Sequence, residues 1–134
     1  MVKICDFGSA CYLPPGEFMD DGLGRGTTPY MAPEILMQRQ YTHLIDVYSL
    51  GVVFWVMLTG RMPFDNIPSS VGMLVAIKGG DWFEFPMNFL DGSPCPFGLT
   101  NLVEKCLEVD PARRIIASDL LEGLELLKEG AKGD

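Results

Sequence analysis

No stretch of this 134-residue chain is apolar for the roughly 20 residues that a bilayer span takes. Basic residues are few. Ten Lys and Arg against 18 Asp and Glu leave a net charge of −8, which argues against nucleic acid or a membrane surface as a partner. The four cysteines (Cys5, Cys11, Cys95, Cys106) form no CxxC pair and match no zinc spacing. Scattered thiols, with no apolar targeting core at the N-terminus, point to a reducing, cytoplasmic setting. Internal repeats and low-complexity tracts are absent too, and the single histidine, His43, reads as structural.

What the chain does have is hydrophobic residues, 48% of the total, enough for one domain or part of one to bury a substantial core. Leu44 to Gly60 is the central stretch. It carries no charge after Asp46, and its large residues point in every direction when wound at 3.6 residues per turn. Too short for a membrane span, it reads as the buried axis of a folded domain. Three further helices are predicted. Ser69 and Ser70 can cap one that runs through Ile77 and stops at Gly79-Gly80. Leu99, Leu102, Val103, Cys106 and Leu107 repeat at helical spacing, as do Ala117, Leu120, Leu121, Leu124 and Leu127. Residues 130–134 read as a frayed tail.

Ahead of the central stretch, Val2 to Cys5 alternate like a short strand that stops at Asp6-Phe7-Gly8, where the glycine can take an unusual backbone angle. Taken alone, Asp6 is a turn residue. Pro14-Pro15-Gly16, Asp20-Asp21-Gly22 and Gly24 then make a long irregular loop, a feature more often functional than connective. Arg61-Met62-Pro63-Phe64 ends the central helix, and Trp82, Phe83, Phe85, Met87 and Phe89 form an extended aromatic segment that reads as core and groove packing.

Asp6-Phe7-Gly8, Ala32-Pro33-Glu34, Asp46 within Asp46-Val47-Tyr48-Ser49-Leu50-Gly51, and Arg114 within Asp110-Pro111-Ala112-Arg113-Arg114 stand in an order and spacing that resembles the C-terminal part of a eukaryotic protein kinase domain. The resemblance implies a mainly α fold. This would be the helical C-lobe with a short N-terminal strand, an activation segment over 6–34 and a helical subdomain over 35–129. It further implies that Asp6 is a Mg2+ ligand in ATP-dependent phosphoryl transfer, with Phe7 packed behind it into a hydrophobic spine. Thr27 matches the threonine that bonds the catalytic aspartate in serine/threonine kinases, although the family's Gly-Thr-Pro is here Gly26-Thr27-Thr28-Pro29. By the same resemblance Glu34 and Arg114 form a buried ion pair. Asp46 holds the catalytic loop from the start of the central helix, where a carboxylate is favoured in any case. Gly51 belongs to the same helix motif, and Val53 and Met57 support the nucleotide-side spine.

Between Ser9 and Thr27 the only hydroxyl is Tyr12, so the usual activation-loop phosphorylation site is missing, while Glu17, Asp20 and Asp21 already supply negative charge. The 134 residues also contain no Gly-x-Gly-x-x-Gly, no strand lysine placed to hold a nucleotide and no HRD-type catalytic loop. This chain alone is therefore expected neither to bind ATP tightly nor to transfer phosphate. Its expected partners are a protein substrate and the N-terminal part of the kinase domain. Two readings follow: a piece of an active Ser/Thr kinase, or a non-catalytic kinase-like module acting by protein binding. In either, the central helix lacks part of its cover, and the isolated chain should be marginal and prone to associate.

Overall fold

The structure, a computed structural model, describes residues 1–20, 28–80 and 82–133. Five helices carry it: α1 (Pro33–Leu36), α2 (Leu44–Thr59), α3 (Ser70–Gly79), α4 (Phe97–Cys106) and α5 (Ala117–Lys132). The chain is mainly α. None of the described residues lies in a strand of a sheet, and only two isolated antiparallel bridges occur, Met19 with Tyr41 and Asn88 with Pro94. No described helix is long and apolar enough to cross a membrane.

Helix α2 lies at the centre. It touches α4, which in turn touches α5, while the turn at Thr28–Tyr30 docks on α2 and α1 rests against α3. Around α2, Val47 joins Leu102, Cys106 and Leu120; Tyr48 and Val52 join Ala32; and Trp55 and Leu58 join Val103. A fourth cluster, Phe64, Met73 and Ile77, seats α3. Trp55 is fully buried, donates its indole N–H to the Glu84 carbonyl at 3.0 Å, and meets Phe83 edge to face at 5.3 Å. In the segment after α3, Trp82, Phe83, Phe85 and Phe89 pack against the core as the sequence suggested, whereas Met87 is exposed.

The ends of α3 follow local chemistry. The Ser69 hydroxyl accepts the Gly72 N–H at 3.0 Å, and Gly80 closes the C-terminus in the left-handed conformation at φ 81°. Gly51 is required for a different reason. A Cβ built there would lie 2.6 Å from the Cys106 Cβ, so α2 and α4 approach at a distance only glycine allows. Gly51→Ala should therefore destabilise the chain by about 1–3 kcal/mol. Cys106→Ala should not rescue it, because the obstructing atom is Cβ itself; urea unfolding of the single and double variants checks both statements.

Four expectations are corrected. Val2 to Cys5 form no strand but exposed coil, because no described segment offers a ladder to pair with. The unusual backbone angle falls on Asp6 (φ 65°) instead of Gly8. The tail does not fray at Gly130, because α5 continues to Lys132. Helix α2 also departs from burial on all sides. Asp46, Leu50, Val53 and Met57, spaced to fall on one face, are exposed, with Met57 at 70%.

Candidate active site

Glu34 enters α1 directly after Ala32 and Pro33, and all three are buried. Its carboxylate meets the guanidinium of Arg114 side by side: Nη1 donates to Oε1 at 2.7 Å and Nη2 to Oε2 at 3.0 Å. Arg114 is 4% exposed and spends its remaining donors on the carbonyls of Leu44 (2.9 Å), Glu108 (3.0 Å) and Val109 (3.4 Å). Its charge also lies over the Tyr48 ring, 5.1 Å from the centroid. One side chain thus ties α1, the start of α2 and the turn before α5 into a single unit. A bidentate pair with its other hydrogens satisfied is the form in which a buried ion pair is tolerated.

The segment leading to α1 is fixed at two more points. Ser49 of α2 donates its hydroxyl to the Tyr30 carbonyl at 2.8 Å. Further upstream, Met19 and Tyr41 exchange main-chain bonds in both directions, 2.8 Å for Met19 N–H to Tyr41 O and 3.0 Å for the reverse. That bridge was not legible beforehand, since both residues stand in stretches with no alternation. Nor does its sequence position show that Tyr48, between Asp46 and Gly51, is buried beneath Arg114.

Asp6 and Asp46 border one open cleft of about 620 Å³, together with Phe7, Tyr12, His43 and Ile45. Asp6 is exposed and caps a short turn, Phe7–Ser9, in a left-handed conformation that aspartate tolerates better than most residues. Gly8 lies within that turn. Phe7 is 67% exposed: none of the described residues covers it, so the expected packing into a spine is not made by them. Asp46, in the first turn of α2, also faces solvent. Val53 and Met57 continue its stripe along the helix. Gly51 is buried on another side, against α4. The expectation placed on Thr27 lies outside the described residues.

The cysteines separate into two kinds. Cys5 and Cys11 are exposed, whereas Cys106 is buried, and desolvation pushes its thiol up to about 11. The Asp91 carboxylate, bonded by the Ser93 hydroxyl and N–H, is held below its ordinary value. Neither group borders the cleft of Asp6.

The chain is similar to known proteins. The family model for the protein kinase domain matches residues 1–123. A putative mitogen-activated protein kinase kinase kinase 7-like protein of Drosophila melanogaster is 34% identical over 116 residues, 84% of this chain and 28% of the relative. A calcium/calmodulin-dependent protein kinase type I of Schizosaccharomyces pombe is 32% identical over 125 residues, 90% of this chain and 35% of the relative. The human serine/threonine-protein kinase ULK3 is 34% identical over 118 residues, covering 88% of this chain and 24% of that protein. The chain therefore spans about a quarter to a third of the length of these relatives. With the four landmarks in place and the family model matching almost end to end, the chain belongs to the protein kinase domain family.

Proposed function

We propose that residues 1–134 form the substrate-side C-lobe part of a protein kinase that transfers the γ-phosphate of ATP to serine or threonine of a protein substrate. The observation that carries this reading is the exposed stripe Asp46, Leu50, Val53 and Met57 on a helix otherwise buried, running away from the cleft that Asp6 and Asp46 share. A face of this kind fits a nucleotide-binding half and a catalytic loop seated on α2, with Asp46 accepting main-chain N–H groups of that loop. The name of the human relative, a serine/threonine-protein kinase, supports the acceptor class.

Mg2+ takes one or two carboxylates and completes its shell with water and phosphate oxygens. A single exposed carboxylate such as Asp6 fits that part. Among the described residues no three His, Cys, Asp or Glu side chains stand together as a metal site, so the other ligands would come from elsewhere. When bound, the ion would neutralise charge on the transferring phosphoryl group. Asp6 would orient it, Glu34 and Arg114 would hold the segment that presents the acceptor, and Thr27 would bond the catalytic base. Glu17, Asp20 and Asp21, with the two-way Met19–Tyr41 bridge, would hold the activation segment without a loop phosphate.

The test is transfer from labelled ATP to a mixed peptide substrate by the longer protein that contains these residues. Asp6→Asn should lower the rate by on the order of a hundredfold or more. The label should appear on serine and threonine, and activity should need no phosphate on Thr27 or Thr28, as read by mass spectrometry. Undiminished transfer by Asp6→Asn would sink the catalytic reading. The same exposed stripe also suits the second reading, a non-catalytic module whose partner covers α2. An in-frame stop directly upstream of Met1, with an expressed short transcript, would favour that alternative.

A further inference from the structure

Between the end of α4 and α5 runs an open groove of about 550 Å³ that shares no residue with the cleft of Asp6 or with the exposed stripe of α2. One wall, the end of α4 and the turn after it, contributes Lys105 and Arg113. The other, α5, contributes Asp119 and Glu122. All four are exposed, and among the described residues none of these side chains makes an ion pair or a hydrogen bond. Ile116 and Leu126, on the same groove, are 45% and 62% exposed. Two open cations, two open carboxylates and two uncovered apolar side chains thus stand around one groove.

The charges restrict what can lie there. Nucleic acid, an anionic lipid surface or an acidic peptide would meet Asp119 and Glu122, and a basic peptide would meet Lys105 and Arg113. A ligand of one sign therefore gains two attractions and suffers two repulsions. The partner that satisfies both walls carries both signs, on either side of an apolar middle, and this chain itself presents such a surface. A two-fold axis lying along the groove sets the basic wall of each copy over the acidic wall of the other and brings their apolar linings together. The net charge of −8 opposes association at long range, but physiological salt screens it beyond about 8 Å, so the groups in contact decide. We propose that the α4–α5 groove is a self-complementary interface through which the protein pairs with a second copy of itself, Lys105 and Arg113 of one copy opposing Asp119 and Glu122 of the other. The pairing is independent of the phosphoryl-transfer reading.

Sedimentation velocity of the natural protein that contains these residues should show a monomer–dimer equilibrium. Lys105→Glu combined with Arg113→Glu should weaken the dimer by about tenfold or more, since each reversal turns an attraction into a repulsion twice across the two-fold axis. Asp119→Lys combined with Glu122→Lys should do the same. Mixed in equal amounts, the two reversed proteins should pair with each other, because every wall of one then faces a wall of opposite sign on the other. Over these residues both variants stay net negative, so overall attraction does not explain a mixed dimer. A protein that is monomeric at every concentration overturns the proposal and leaves the groove to a different partner. So does a dimer that either reversal leaves intact, or a mixture that stays monomeric. The four side chains bond to nothing within the fold, so both variants should keep the wild-type circular dichroism. Where a double reversal unfolds, Arg113→Glu alone or Glu122→Lys alone takes its place, with the same outcomes deciding.

Discussion

Replacing Glu34 by Ala should cost the fold about 3–5 kcal/mol, because it strands the Arg114 guanidinium in a site where it is 4% exposed. The carbonyls of Leu44, Glu108 and Val109 would remain as acceptors, but none of them carries a full charge. The effect should therefore exceed that of losing two neutral hydrogen bonds, each worth about 1 kcal/mol net. Glu34→Gln separates the two contributions, since it keeps the shape and one acceptor oxygen while removing the charge, and it should fall between wild type and Glu34→Ala. Arg114→Met in the Glu34→Gln background should recover part of the loss by removing the stranded charge. Denaturant unfolding of wild type, Glu34→Gln, Arg114→Met and the double variant closes the cycle. Additive effects would mean that the pair is not coupled and that its bidentate geometry has no energetic consequence.

Trp55→Ala is expected to be as damaging, again about 3–5 kcal/mol, for unrelated reasons. The indole is fully buried, packs against Phe83, and is the only donor seen on the Glu84 carbonyl among the described residues. Truncation leaves a cavity between α2 and α4 that Leu58 and Val103 can only partly fill. Trp55→Phe keeps most of the volume but loses the N–H, so it should cost about 1–2 kcal/mol. Thermal and urea unfolding followed by circular dichroism resolve the two. Equal losses in Ala and Phe would show that the hydrogen bond, and not the packing, is what Trp55 contributes. For domains whose whole stability is about 5–15 kcal/mol, either alanine variant can leave little of the native state.

The helices were legible because their signals are local. The Ser69 cap and the Gly80 stop bound α3 as expected, and the repeats of Leu99 to Leu107 and Ala117 to Leu127 located α4 and α5. What failed was non-local. Val2 to Cys5 alternate like a strand, but a strand exists only where another can pair with it. The left-handed angles of Asp6 and Phe64 (φ 55°) are imposed by the turns around them, and neither residue type announces them. Helix α2 read as apolar all round because composition cannot tell a covered side chain from one waiting for cover, as Met57 is. The pairing of Glu34 with Arg114 came from resemblance alone; no periodicity links positions so far apart. Their full burial, the Leu44 and Glu108 carbonyls on Arg114, and the stacking over Tyr48 emerged only from the fold.

That distance also sets an order of events during synthesis. Glu34 and Arg114 are separated by 80 positions, whereas Met19 reaches Tyr41 across a much shorter span. At translation rates of about 5–20 residues per second, Glu34 leaves the ribosome roughly 4–16 s before the arginine that will hold it. For that interval the stretch around α1 can have the Met19–Tyr41 bridge, the Ser49–Tyr30 bond and its apolar packing on α2 and α3, but no buried counter-charge. Native assembly of the platform is thus a late event, gated by the arrival of the turn before α5. A nascent chain stalled before Arg114 should expose α1 to protease or chaperone, and one released after it should not.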